Sequence, residues 1–245
     1  AASDVYKRQD GTATEQTFAN SNFAFASDGF NVDYTGGYNN VNKNSTTYVA
    51  WQWKANGGTT TTNDASSTGV GTIDSVYQAN TTAGFSIVTY TGTGSAGTIA
   101  HGLGATPKLY IIKNRERSDT WRVATEMMGF GKQLLLNETD AVATDTSTFN
   151  NTAPTSTVFS VGTRNAVNAS SEGHVAYCFA EKQGYSKFGS YTGNGNADGA
   201  FVYTGFKPAW IMVKKSSDSG SWHIWDNKRD IINPNSGRLL ADTID

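Results

Sequence analysis

Tyr90-Thr91-Gly92-Thr93-Gly94, followed by Pro107, Lys113 and Trp121, returns as Tyr191-Thr192-Gly193-Asn194-Gly195, followed by Pro208, Lys214 and Trp222. The offset stays at 101 residues from one Trp to the other. After a short insertion Leu134-Leu135-Leu136-Asn137 lies over Leu239-Leu240-Ala241-Asp242, which carries the match to the end of the sequence. A second block, Tyr38-Asn39-Asn40-Val41-Asn42 through Tyr48-Val49-Ala50-Trp51, lies without a gap over Arg164-Asn165-Ala166-Val167-Asn168 through His174-Val175-Ala176-Tyr177, 126 residues on. With the first block termed A and the second B, the order along the chain is B, A, B, A. Only the central pair, 72–182, is complete. A repeat of this kind predicts halves whose strands have one buried face and need a neighbour to cover it. The leading B half (10–54) and the trailing A half (183–245) are therefore expected to pack on the central unit or on each other.

Between the apolar stretches Gly, Asn, Thr and Ser dominate, with 26 Gly against 4 Pro, as suits short strands joined by turns. Strands are expected at 30–34, 48–53, 85–90, 108–113, 120–124, 157–161, 174–180, 209–214 and 221–225, where β-branched and aromatic residues concentrate. No long 3.6-residue period competes with them. The class is all-β, expected as a β-sandwich of jelly-roll or concanavalin-like type built from short antiparallel strands. Residues 55–71, with Gly57-Gly58 and Thr59 to Thr62, have little to bury and read as a flexible linker or exposed loop. Asp4 to Gln9 resembles a translated sequencing-adapter scar, so residues 1–9 are expected to be an artefactual leader.

Charge is sparse and balanced, 19 Lys and Arg against 21 Asp and Glu. Without a basic excess, phosphate-driven nucleic-acid binding is not expected. The longest apolar runs, Leu109 to Ile112 and Leu134 to Leu136, fall far short of the ~20 residues of a spanning helix, so no membrane insertion is expected either. The single cysteine, Cys178, has no disulfide partner and sits in an apolar strand pattern, where it reads as buried and inert.

The segments Gly84 to Gly92, His101-Gly102-Leu103-Gly104 with Pro107, Val175 to Glu181, Phe188 to Gly195, and Gly205 to Trp210 with Lys214 resemble a repeated domain of uncharacterised function. That domain occurs in tail-fibre and other virion proteins of marine bacteriophages, often beside concanavalin-like or SPRY-like modules. The resemblance covers nearly the whole chain after the leader. It implies a structural repeat module of a virion appendage, extracellular, that contributes to host-surface binding. Its partners would then be other fibre chains, in a homotrimer, and a host-surface glycan. No catalytic motif comes with the resemblance.

The residues themselves offer one cluster of types used in carbohydrate recognition: Trp222, Trp225, Asp226 and Arg229, with Tyr203 upstream and His223 between the Trp pair. Trp121 and Trp222 share a repeat position, which suits a core anchor burying about 150–250 Å², with a sugar-stacking platform as the rival. Trp225 breaks the period-2 relation to Trp222 and is the better exposed candidate. Trp51 and Trp53 share a face with the period of Tyr177 and Phe179, and read as core. His101, His174 and His223 occupy unrelated repeat positions, so no metal site and no cofactor is expected. The Gly-rich turns lack the GK[ST] of a phosphate loop. No nucleophile elbow is present, and the acid pairs Asp28 with Asp33 and Asp226 with Asp230 have no motif behind them, so no enzyme is expected. A carbohydrate-binding module of a bacterial surface or secreted protein is the second reading, and a depolymerase the third.

Overall fold

Every strand pair among the described residues is antiparallel, as short connections rich in Gly and Asn favour. The structure is a computed structural model and describes residues 5–6, 11–17, 21–34, 42–229 and 234–243. The first elements are β1 (Val5–Tyr6), β2 (Gln16–Thr17), β3 (Ser21–Phe25), β4 (Phe30–Tyr34), β5 (Thr61–Asn63) and α1 (Ala65–Thr68). The central unit contributes β6 (Ser75–Asn80), β7 (Phe85–Thr91), β8 (Gly97–Ala100), β9 (Pro107–Asn114), β10 (Arg122–Thr125), β11 (Lys132–Leu135) and β12 (Ala143–Thr144). It continues with α2 (Thr146–Phe149), β13 (Val158–Val161), α3 (Asn165–Asn168) and β14 (Gly173–Ala180). The trailing half holds β15 (Trp210–Lys214), β16 (Trp222–Asp226) and β17 (Leu239–Leu240).

Eight strands form the main sheet in the order β12-β11-β10-β9-β14-β7-β6-β5. Strand β14 sits in the middle, paired to β9 on one side and β7 on the other. One face carries Val88, Tyr90, Tyr110, Ile112, Ala124, Ala176 and Cys178, all buried. The β8–β13 pair covers that face with Ile99, Phe159 and Val161, and Phe149 of α2 and Val167 of α3 close its ends. Tyr110 sits 5.2 Å from Phe159 and 5.3 Å from Phe149, ring centre to ring centre, the spacing at which aromatic pairs add to area burial. Asn168 is fully engaged inside: its Nδ2 donates to Ser95 O and Gly162 O, and its Oδ1 accepts from Thr93 N. This ties the turn after β7 to α3 so closely that a Cβ on Gly92 would stand 2.2 Å from Ala169 O.

The opposite face of the main sheet carries Leu109, Ile111, Val123, Leu134 and Leu136 with Trp121. Against it lies β15-β16-β17, through Met212, Trp222, Ile224, Leu239 and Ala241. These two sets correspond at the 101-residue offset and its later shift: Ile111 to Met212, Trp121 to Trp222, Val123 to Ile224, Leu134 to Leu239, Leu136 to Ala241. The pairings correspond too. Arg122 faces Ile112 and Leu135, as His223 faces Val213 and Leu240. Asn137 Oδ1 accepts from Trp121 N and Asp242 Oδ1 from Trp222 N, both at 2.8–2.9 Å. Strands β15-β16-β17 thus pack on the main sheet through one shared apolar cluster.

Two expectations are corrected. Residues 48–53 form no strand. Alternation marks a face but supplies no hydrogen-bonding neighbour, and the equivalent strand β14 has two. Residues 55–71 are not simply a linker, because β5 pairs with β6 and Asp64 caps α1, accepting from Ser66 N and Ser67 N. Asn63 adds a bond from its Nδ2 to Val70 O. The expected strands missed β1, β2, β3, β5, β12 and β17 as well as β6, β8 and β11, and the last three have half-polar sequences without clean alternation.

Candidate binding surface

On β16 successive side chains point to opposite faces, and this splits the cluster read from the sequence. Trp222 faces inward, is 4% exposed, and donates its Nε1 to Leu135 O at 2.8 Å. That burial removes it from any ligand surface, a correction caused by the same repeat position that places Trp121 in the core. Asp226 is also buried, accepting from Lys228 N, Arg229 N and Arg229 Nε. Burial resists its charge, but Arg229 and these backbone donors outweigh it and hold the carboxyl below its usual range. The Arg229 guanidinium reaches Ile224 O and Gly237 O as well, so the pair closes the connection from β16 to β17 and its polar groups are engaged there. Asp230 lies outside the described residues, and so does the side chain of Asp33.

Trp225 is different. It stands on the outer face of β16, half-buried, stacked on His223 at 5.5 Å and opposite Ile211 of β15. Ile211, Val213, His223, Trp225 and Leu240 share this face. Their counterparts in the main sheet are Tyr110, Ile112, Arg122, Ala124 and Leu135, and the face of Tyr110, Ile112 and Ala124 is covered by β8 and β13. Here Ile211 is 44% exposed. His223 Nδ1 is buried without a hydrogen-bond partner among the described residues. Upstream, Tyr191, Phe201 and Tyr203 are exposed in a segment without strands, Tyr203 at 77%. Their counterparts Tyr90 and Ala100 are buried. The sequence reading placed no strand at Tyr191 or Phe201, and the segment that holds them has none.

Two open clefts lie elsewhere and hold none of these residues. One, of about 380 Å³, is lined by Thr72, Ile73, Asp74, Thr91, Gly92 and Thr93. Its Asp74 carboxylate accepts from Ala65 N. The other, of about 340 Å³, is lined by Thr14, Glu15, Arg115 and Glu116. Glu15 pairs with Arg115 and Glu116 accepts from Gly173 N, so both acids already have donors. Among the described residues no three His, Cys, Asp or Glu side chains gather as metal ligands, and no helix is long and apolar enough to cross a membrane. The Cys178 thiol is fully buried, which pushes its pKa far up and leaves it no thiolate. Lys113 is buried with Nζ donating to Thr12 O, Arg117 O and Asp119 O, which fixes the leading residues to the central unit.

No curated protein and no solved structure matches this chain. A family model does, across residues 2–245, including residues read above as a leader. With that match over essentially its full length, the chain belongs to the family of the domain of unknown function DUF7483.

Proposed function

We propose that this chain is a structural repeat module of a phage tail fibre or other virion appendage, working as a spacer between other modules. One observation carries the reading. Two three-stranded meanders, β9-β10-β11 and β15-β16-β17, share one register and pack on each other through corresponding residues. A unit that buries itself against its own repeat adds length by adding copies, as stacked repeats do. The virion setting rests on the sequence resemblance, and with it the location outside the cell and the homotrimer.

The exposed aromatics favour a second reading, recognition of a host-surface glycan or, in a bacterial surface protein, of a polysaccharide. An exposed Tyr203 ring and the outer edge of Trp225 offer faces on which a saccharide C–H surface stacks. A glycan array and a bacterial-cell binding assay on the folded chain separate the two, with Tyr203→Ala and Trp225→Ala alongside. Absence of binding supports the spacer. Binding that either variant abolishes replaces it with recognition.

A further inference from the structure

Two loops of the molecule hold a passing segment of chain in the same way. The loop between β9 and β10 holds Thr12 to Glu15, and the loop between β15 and β16 holds Thr139 to Val142. Asp119 N donates to Thr12 O at 2.9 Å, and Gly220 N to Thr139 O at 2.8 Å. Glu15 N donates to Arg115 O at 2.7 Å, and Val142 N to Ser216 O at 2.9 Å. Lys113 Nζ donates to Thr12 O at 3.0 Å, and Lys214 Nζ to Thr139 O at 3.3 Å. Ser118 Oγ donates to Thr12 Oγ1 at 3.2 Å, and Ser219 Oγ to Thr139 Oγ1 at 3.3 Å. Bond for bond, the residues on the holding side stand 101 positions apart and the held residues 127.

The match lies in the main chain and in a Lys, a Ser and a Thr common to both places, while the remaining side chains differ. Glu15 pairs with Arg115, whereas Val142 stands beside Ser216 and packs on the apolar cluster shared by the two meanders. Lys113 is buried, and a buried ammonium is tolerated where carbonyls replace its water, so Thr12 O satisfies a donor that would otherwise be costly. The second segment also bridges two meanders. Asn137 Oδ1 accepts from Trp121 N, and two residues further on Thr139 O accepts from Gly220 N.

We propose that these two loops are one docking groove used twice, a joint that takes a Thr-bearing segment from the preceding stretch of chain and clasps the meander to it. Residues 12–15 fill the first groove and residues 139–142 the second. The groove reads the Thr carbonyl, the Thr hydroxyl and the N–H three residues further on, so the two segments are interchangeable. Recognition through main-chain groups supplies attraction with few demands on the other side chains. The joint deepens the spacer reading of the proposed function and rests on it for its use. Meanders clasped to incoming chain in one geometry hold successive modules at a fixed spacing.

The test follows amide hydrogen exchange in the full chain by NMR, at Asp119 for the first groove and Gly220 for the second. One variant combines Ala13→Asp, Thr14→Ala and Glu15→Val, which gives the first segment the residues of the second. Glu15→Pro removes the N–H that Arg115 O accepts, and Val142→Pro the one that Ser216 O accepts. Glu15→Pro is expected to speed exchange at Asp119 by about tenfold and Val142→Pro at Gly220, each leaving the other amide within about twofold. The rewritten segment is expected to keep Asp119 within about threefold of the unmodified chain. If Asp119 in the rewritten chain exchanges as fast as in Glu15→Pro, the proposal is overturned, because side chains and not the groove then hold the segment. A Pro variant that leaves its own groove unchanged, or that speeds both amides together, overturns it as well. Glycan binding by the intact chain removes the spacer reading and leaves the joint, whereas failure of the exchange tests removes the joint and leaves the spacer.

Discussion

The meanders β9-β10-β11 and β15-β16-β17 have the same pairings, the same Asn or Asp acceptor for a Trp backbone N–H, and different fates for their outer faces. Tyr110 and Ile112 are fully buried under β8 and β13. Ile211, in the position of Tyr110, is 44% exposed. Local sequence sets the register in both, and neighbouring strands alone decide whether the second face becomes core. Burial therefore depends on which strands lie alongside.

The largest expected effects test the shared and the covered faces. Trp222→Ala removes a buried ring and the bond to Leu135 O, and Tyr110→Ala empties the centre of the covered core. Each is expected to destabilise by about 3–5 kcal/mol, the range for large aromatic truncations, measured by denaturant unfolding. A loss below about 1 kcal/mol for Trp222→Ala would mean that the trailing meander is not seated on the main sheet.

Acid provides the next test. His101 is buried, with Nδ1 accepting from Leu103 N and Nε2 therefore donating to Thr155 O, and burial lowers its pKa to about 4 from 6.5. Between those values the unfolded chain holds a proton that the native chain refuses. Stability is therefore complete above the unfolded pKa and falls as pH drops from about 6.5 to about 4, by about 3 kcal/mol in all. Unfolding midpoints measured across that window should lose this slope in His101→Gln. His101 has no histidine counterpart in the trailing half, where Val202 stands, so the acid sensitivity belongs to the central unit.

Corresponding glycines sharpen the contrast at smaller scale. A Cβ on Gly92 collides with Ala169 O, whereas one on Gly193 meets nothing within 4 Å. Gly92→Ala is expected to cost about 1–3 kcal/mol through overpacking. Gly193→Ala is expected to be neutral or to stabilise by about 0.4–1 kcal/mol by restricting the unfolded chain. Equal effects at the two sites, read from paired thermal melts, would break the comparison. Smallest of all, Ile211→Ala should change the stability of dilute chain by less than about 1 kcal/mol, against the large loss at Tyr110.

Much of this was legible in the residues. Clean alternation located β4, β7, β9, β14, β15 and β16 to within a residue or so. Ser75 to Asn80 and Lys132 to Leu135 escaped because a half-polar strand buried by its neighbours has no period of its own. The cluster of Trp222, Trp225, Asp226 and Arg229 was legible as composition, but the fold engages three of its members and leaves Trp225 on the outer face. Strand parity turned Trp222 inward, and the turn after β16 consumed Asp226 and Arg229.

By itself the sequence determined the all-β class and the lengths of the main strands, because side-chain alternation and turn residues act over a few neighbours. Tertiary structure decided which of two equivalent faces is core, why Tyr90 is buried and Tyr191 exposed, and why Tyr48 to Trp53 is no strand. Those outcomes depend on which strand lies alongside, and the contacts that settle it join residues a hundred positions apart.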